Sequence, residues 1–143
     1  MGIGSASGVG ESFLRHLLIV VLLALGASRS LLLIADGARW IRAFFIEALA
    51  HIPDKCMIVD WYHLHQKCLE QGSRICRGKQ AKARLLLRLY RRLWRGNVVA
   101  AIGVLDAYRA QARNEQALDT LIAYLQARQA WIPNYRQRRI DQQ

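Results

Sequence analysis

The chain has 143 residues, of which 53% are hydrophobic and 22% charged, so it is long enough to bury one core and too apolar for a disordered or collagen-like protein. Its 21 Lys and Arg outnumber ten Asp and Glu, and the formal charge of +11 indicates a polyanionic partner, either nucleic acid or an anionic membrane. Three cysteines in a chain with its own core argue against a secreted disulfide framework, so we expect reduced thiols in the cytoplasm.

The first long apolar segment, residues 17–25, ends at Gly26. It is similar to the apolar part of a signal peptide, but it is much shorter than the ~20 apolar residues of a membrane span. We therefore expect a buried helix here and no membrane partner, and a membrane-anchored or exported basic protein is the alternative. Residues 1–12 precede this segment and are predicted to form a flexible N-terminus.

A pattern of strand, acid and helix then occurs twice. Residues 31–35 are apolar and end at Asp36, before a stretch with helical spacing over residues 38–50. Residues 56–59 are apolar and end at Asp60, before a second helix. Two strands joined by a helix are expected to pair in parallel, which would bring both aspartates to one edge of the sheet. Paired carboxylates suit Mg²⁺, although an Asp after a strand is equally typical of a helix N-cap.

A histidine follows the second aspartate at close spacing. His63 lies three residues after Asp60 and could lie over the same edge from the first helical turn, but spacing alone favours a surface or packed histidine. Together with Cys56, His65 and Cys68 it could be written as a zinc set, but the spacing is not that of a standard finger or ribbon. Structural thiols are therefore the expectation.

Two motifs resemble those of the DDE transposases of bacterial insertion sequences, in the Mutator-like group with a Cys-or-Asp-x-x-His signature. They are Asp36-Gly-Ala-Arg-Trp-Ile41 and Val59-Asp-Trp-Tyr-His-Leu64, within a resemblance that covers residues 14–139. The resemblance implies an RNase H-like fold in which two Asp and one Glu hold two Mg²⁺ ions for phosphodiester chemistry on DNA. It implies that Asp36 is the second catalytic Asp and, in an intact site, a Mg²⁺ ligand. Asp60 and His63 match the signature that supports the catalytic core.

The sequence also departs from this family. No Asp precedes Asp36, and no Glu follows a Gly-Ser-Gly-like stretch before Gln143, so two of the three carboxylates lack a match. We therefore predict a truncated transposase that keeps DNA affinity, binds no Mg²⁺ and performs no strand transfer alone. Its partial sheet is expected to expose an edge that permits self-association. A free-standing basic helical module that binds nucleic acid is the alternative.

The second half of the chain is predicted to be helical and basic. Nine Lys and Arg and no acid occur between Glu70 and Asp106. At about 100° per residue, an arginine stripe and a leucine face lie on opposite sides of one helix. The stripe is Arg84, Arg88, Arg91 and Arg95, and the leucines are Leu86, Leu89 and Leu93. A stripe without acids favours phosphate contact and hence DNA binding, and a solvated helix face is the alternative.

Further helices are predicted beyond Gly96 and Asn97, which break the basic helix, with Asn114 as a later N-cap. The aromatic side chains of Tyr90, Trp94 and Trp131 are expected to pack, with stacking on bases as the alternative. The predicted fold class is α/β, a partial RNase H-like parallel sheet followed by an all-helical basic insertion. The predicted divisions are residues 13–76 for the partial core, 77–132 for the helical insertion and 133–143 for a basic tail.

Overall fold

The computed structural model describes residues 30–35, 39–47, 49–50 and 52–141. The predicted flexible N-terminus, the predicted helix at residues 17–25 and Asp36 lie outside these residues. Within them, β1 (Ser30–Ala35) and β2 (Asp54–Val59) pair as a two-stranded parallel sheet, and α1 (Arg39–Glu47) connects them. The prediction of an α/β chain with a small parallel sheet is thereby confirmed, and helices form most of the described structure.

The chain divides into two compact units, Met1–Met57 and Ile58–Gln143. In the first unit, α1 ends at Glu47, whereas the sequence pattern predicts a helix to residue 50. The Lys55 ammonium donates to the carbonyls of Phe45, at 2.9 Å, and Leu49, at 3.1 Å. A cation from the next strand thus satisfies carbonyls at the end of the helix, where intrahelical donors are lacking.

After the last two residues of β2, the second unit is helical in the part that the structure describes. Its helices are α2 (Trp61–Ile75), α3 (Lys79–Leu93), α4 (Val98–Tyr108), α5 (Glu115–Arg128) and α6 (Tyr135–Asp141), with single 3₁₀ turns at Arg109–Gln111 and Gln129–Trp131. In sequence order α2 packs against α3, α3 against α4 and α4 against α5, and α5 returns to contact α2. Across the described ranges, no helix is long and apolar enough to span a bilayer.

The core of the second unit is built from leucines that recur at helical spacing. Leu64, Leu89, Leu105 and Leu121 come from four successive helices, and each is fully buried. Burying one such side chain stabilises the fold by about 1.5–3 kcal/mol relative to leaving it exposed. At Gly72 the packing is so close that an added Cβ would lie 3.1 Å from a methyl carbon of Leu86. The helices therefore form one continuous apolar core.

Side-chain caps define where α4 and α5 begin. The Asn97 side chain accepts a hydrogen bond from the backbone N–H of Ala100 at 3.1 Å, and Asn114 accepts one from Ala117 at 3.0 Å. Each bond satisfies an N–H that has no partner within its helix. The predicted helix break at Gly96 and Asn97 and the predicted cap at Asn114 are both confirmed. In the region predicted as a basic tail, residues 135–141 form α6.

Candidate nucleic-acid interface

The two sides of α3 differ sharply in exposure. Its core side is formed by the buried Leu85, Leu86, Leu89 and Leu93. Arg84, Arg88, Arg91 and Arg95 are all exposed. At about 100° per residue these four arginines fall within an arc of about 60°, opposite the leucines. The predicted division of this helix into a leucine face and an arginine face is confirmed, and we call the four arginines the arginine face.

The last arginine of this face is held by the way the helix ends. The backbone N–H of Trp94 donates to the Tyr90 carbonyl at 2.9 Å, so helical bonding continues one residue past Leu93. The N–H groups of Gly96 and Asn97 then donate to the carbonyls two and three residues before Arg95, at 2.9 Å each. This is a Schellman motif, and Gly96 supplies its left-handed residue with φ of 73°. Arg95 is thereby fixed in line with the helical arginines.

The arginine face has no internal charge balance. In the part of the chain that the structure describes, no carboxylate forms an ion pair with any of its four members. By contrast, Arg109 lies 2.8 Å from Asp119 and 3.4 Å from Asp106. The hydrogen bond to Asp119 is the main cause of the raised pKa of Arg109. Four guanidinium groups without carboxylate partners leave their planar donor forks available to phosphate oxygens.

The Asp60–His63 pair lies at the junction of β2 and α2. Asp60 occupies the N-cap position of α2, but its carboxylate makes no hydrogen bond to the helix backbone. Its Oδ2 atom lies 2.9 Å from Nδ1 of His63, which lies in the first turn of α2. The side chains are 35% and 53% exposed, respectively. Asp60 therefore has the position of an N-cap, while its side chain orients a histidine that faces solvent.

Five rings pack together around Trp61, and we call them the aromatic cluster. Its members are Trp61, His65, Tyr90, Trp94 and Tyr135. The Trp61 ring meets those of Trp94 and Tyr135 edge to face, at 4.9 and 5.2 Å between ring centres. His65 stacks on Tyr90 at 4.4 Å, with 16° between the ring planes. The cluster joins the signature segment to α3 and α6.

The structure shows whether the three aromatic side chains considered for base stacking are packed inside the protein. Tyr90 and Trp94 are partly buried in the cluster, and Trp131 packs against the apolar core. The Tyr90 hydroxyl donates to the His65 carbonyl at 3.2 Å, and burial raises the pKa of Tyr90 to about 12. These contacts give the three rings a structural role, which confirms the expectation that they pack. The site therefore consists of charged rather than stacking groups.

Two of the cysteines, Cys68 and Cys76, belong to the apolar core. Cys68 is fully buried, and burial raises the pKa of its thiol to about 12, so the thiol stays protonated at neutral pH. Among the described residues, no group of three His, Cys, Asp or Glu side chains lies close enough to hold a metal ion. The two histidines of the zinc set considered above have other partners, because His63 pairs with Asp60 and His65 stacks on Tyr90.

The remaining expected site residue, Asp36, lies outside the described residues, so its distance from Asp60 is not defined. Sequence reasoning missed a contact between residues 40 positions apart, in which Arg113 donates to the Ser73 carbonyl at 2.9 Å. No sequence spacing signals such a contact, because it depends on how α5 returns to α2. No protein-family model, curated protein or solved structure matches this chain.

Proposed function

We propose that this chain is a DNA-binding part of a DDE transposase and that the arginine face of α3 contacts the phosphate backbone. The observation that carries the DNA-binding proposal is the exposure of four arginines on one side of a helix, without a carboxylate partner in the described chain. Like charges one helical turn apart repel one another. Contact with DNA phosphates relieves this repulsion. The bound arginines also displace counterions from the DNA, which makes binding favourable and dependent on salt.

The transposase assignment rests on the resemblance of two motifs, and three features of the fold support it. The strands that precede the two motif aspartates pair in parallel, a helix connects them, and Asp60 pairs with His63 within the signature. Open α/β sheets place their chemistry at the carboxyl ends of their strands, and in the sequence Asp36 and Asp60 directly follow β1 and β2. In an intact site Asp36 would be one Mg²⁺ ligand, with Asp60 and His63 as supporting residues.

The proposal is limited to binding. Two Mg²⁺ ions need several converging carboxylates, which supply hard oxygen ligands and position the attacking oxygen. The motifs of this chain match one residue of the triad, Asp36. We therefore assign no phosphoryl-transfer step to these residues and propose a role in holding DNA.

The test is a titration of a fluorescent DNA duplex with the full chain. Binding is monitored by fluorescence anisotropy at several salt concentrations. The double variant Arg88→Gln/Arg91→Gln should weaken binding and lower the slope of log K against log salt by about 2, or about 1 per phosphate contact. The matched control, Arg136→Gln/Arg139→Gln, removes two exposed charges from α6 and should leave most of the slope unchanged.

Two results would contradict the DNA-binding proposal. One is an affinity that does not change over an about fourfold rise in salt, because phosphate contacts release counterions. The other is an equal loss of affinity in the α3 and α6 variants. The second result would assign binding to net charge rather than to the arginine face.

A free-standing basic helical module is a second candidate function. The observation in its favour is that the second unit has its own apolar core, formed by side chains between Val59 and Tyr135. The flanking nucleotide sequence distinguishes the two candidates. A transposase predicts an upstream strand that carries an Asp and a downstream Gly-Ser-Gly-x-x-Glu segment in some reading frame. Unrelated flanking sequence favours the module, and the arginine face then keeps its role in DNA binding.

A further inference from the structure

A depression of about 260 Å³ lies between the end of α2, the start of α3 and the segment before α5. It is lined by Ser73, Cys76, Gly78, Lys79, Lys82 and Arg113. Three of these six residues are cationic and none is acidic. Lys79 and Lys82 have no ion-pair partner within the described ranges of the chain. Cations gathered in one concave surface repel one another and attract an anion.

Arg113, one of the three cations of this depression, is held in place by hydrogen bonds to the end of α2. The backbone N–H of Arg113 donates to the Ile75 carbonyl at 2.8 Å, and its Nη2 donates to the Ser73 carbonyl at 2.9 Å. These two bonds fix the guanidinium beside the end of α2. A guanidinium has five N–H donors, so further donors remain for a ligand. A side chain that is already ordered loses little entropy when the ligand binds.

The backbone at the start of α3 adds to the positive electrostatic potential in the depression. Gly78 is the N-cap residue, has φ of 97° and carries no side chain that could cap the helix. A Cβ placed on Gly78 would have no atom within 4 Å, so this side of the helix start is open. The N–H groups of the first helical turn favour an anion in that space.

We propose that this depression binds a phosphate group, as a monoester or a diester, through Lys79, Lys82 and Arg113. At about 100° per residue, both lysines fall on the leucine side of α3, away from the arginine face. The depression is therefore a second anion site, and it does not depend on DNA binding by that face. A nucleic-acid backbone and a small phosphorylated compound present the same chemistry to it.

The test is a titration of the isotopically labelled full chain with inorganic phosphate at constant ionic strength. The amide resonances of Lys79, Gln80 and Ala81 should shift and saturate. Lys82→Gln should raise the dissociation constant about tenfold, because one charge-assisted bond is lost. Arg139→Gln removes an equal charge from α6 and should leave the constant within about twofold. Lys82 is chosen because Arg113 also bonds to the backbone and its loss would disturb the fold.

Two outcomes would overturn the proposal. One is the absence of saturable shifts at the start of α3, and the other is an equal weakening in the Lys82→Gln and Arg139→Gln variants. A second arm adds duplex DNA to distinguish the sources of phosphate. Displacement of inorganic phosphate by DNA identifies the ligand as a nucleic-acid phosphate. DNA binding that leaves these resonances unchanged excludes duplex DNA as the source, and the saturable shifts with inorganic phosphate then assign the depression to a small phosphorylated compound. The Arg88→Gln/Arg91→Gln variant should bind inorganic phosphate normally, which separates this site from the arginine face.

Discussion

The hydroxyl of Tyr135 donates a 2.6 Å hydrogen bond to the carbonyl of Val59, which lies 76 residues earlier in the chain. Val59 is the last residue of β2, and Asp60 follows it directly. The Tyr135 ring also stacks on Trp94, with 5.6 Å between ring centres and 12° between planes. One side chain from α6 thus fixes both the end of the strand before the Asp60–His63 pair and the end of the helix that carries the arginine face.

Replacement of Tyr135 by Phe should measure how much the hydrogen bond to the Val59 carbonyl contributes to stability. The ring and its stacking are kept, but the Val59 carbonyl loses its donor, so we expect a loss of about 1–2 kcal/mol in the free energy of unfolding. Urea denaturation followed by circular dichroism provides the value. Tyr62→Phe is the matched control, because Tyr62 is 63% exposed, and it should change stability by less than about 0.5 kcal/mol. Equal effects of the two substitutions would contradict the assigned role of the hydrogen bond.

Stability should fall at alkaline pH. Burial raises the pKa of Cys68 and of Tyr90 to about 12 and also raises the pKa of Tyr135. In the unfolded chain these groups lose their protons at about pH 8.5 for Cys and about pH 10 for Tyr. Above those values the folded state binds more protons than the unfolded state, so the free energy of unfolding decreases as pH rises. The contribution of Cys68 and Tyr90 is complete below about pH 8.5 and is lost between there and about pH 12.

The alkaline effect is measured by urea denaturation from neutral pH upward. The variant Cys68→Ala removes the group that titrates first in the unfolded chain. Its stability should be lower at neutral pH, because a buried side chain is truncated, but should decline less between about pH 8.5 and 10. An unchanged slope in this variant would show that the thiol titrates alike in both states.

The local fold was predictable from sequence where a residue type determines the outcome. Leucines at helical spacing identified the core side of α3, and Asn114 identified the start of α5. The end of α1 was not predictable, because it depends on Lys55, a cation from the following strand that reaches back to the Phe45 carbonyl. The apolar pattern continues beyond Glu47, and only the folded chain shows which donors satisfy the last carbonyls.

The candidate sites follow the same division. The arginine face lies within one helix, so the helical spacing of its four arginines was enough to predict it. The phosphate depression depends on Arg113 meeting Ser73 across 40 residues, so no pattern within either segment signals it. The aromatic cluster likewise joins Trp61 to Trp94 and Tyr135, and sequence spacing predicts that such rings pack but not which of them meet.

Two glycines should respond in opposite directions to replacement by alanine. Gly96 has φ of 73°, and an added Cβ would lie 2.9 Å from backbone atoms of Pro133 and Asn134. We therefore expect Gly96→Ala to destabilise the protein by about 2 kcal/mol or more. Gly103 is exposed within α4, and a Cβ there has no atom within 4 Å. Gly103→Ala should stabilise by about 0.5–1 kcal/mol, because alanine loses less backbone entropy in a helix.

Thermal and urea denaturation of the two glycine variants, each compared with the parent chain, provide both values. The pair is informative because the substitution is chemically identical and only the surroundings differ. A stable Gly96→Ala protein would contradict the close approach between the end of α3 and the segment before α6. It would also remove the reason for the fixed position of Arg95 at the end of the arginine face.

The Asp60-Trp-Tyr-His63 segment combines one residue that holds the fold with two that do not. Trp61 contacts four rings, so Trp61→Ala should lower the free energy of unfolding by about 3 kcal/mol. The side chains of Asp60 and His63 are partly exposed, and ion pairs near the surface contribute little. His63→Ala should therefore change stability by less than about 0.5 kcal/mol, and Asp60→Asn by less than about 1 kcal/mol. Urea denaturation of the three variants measures this contrast. A larger cost for His63→Ala than for Trp61→Ala would make the pair a structural element, whereas the expected order leaves both polar residues free to serve the proposed transposase signature.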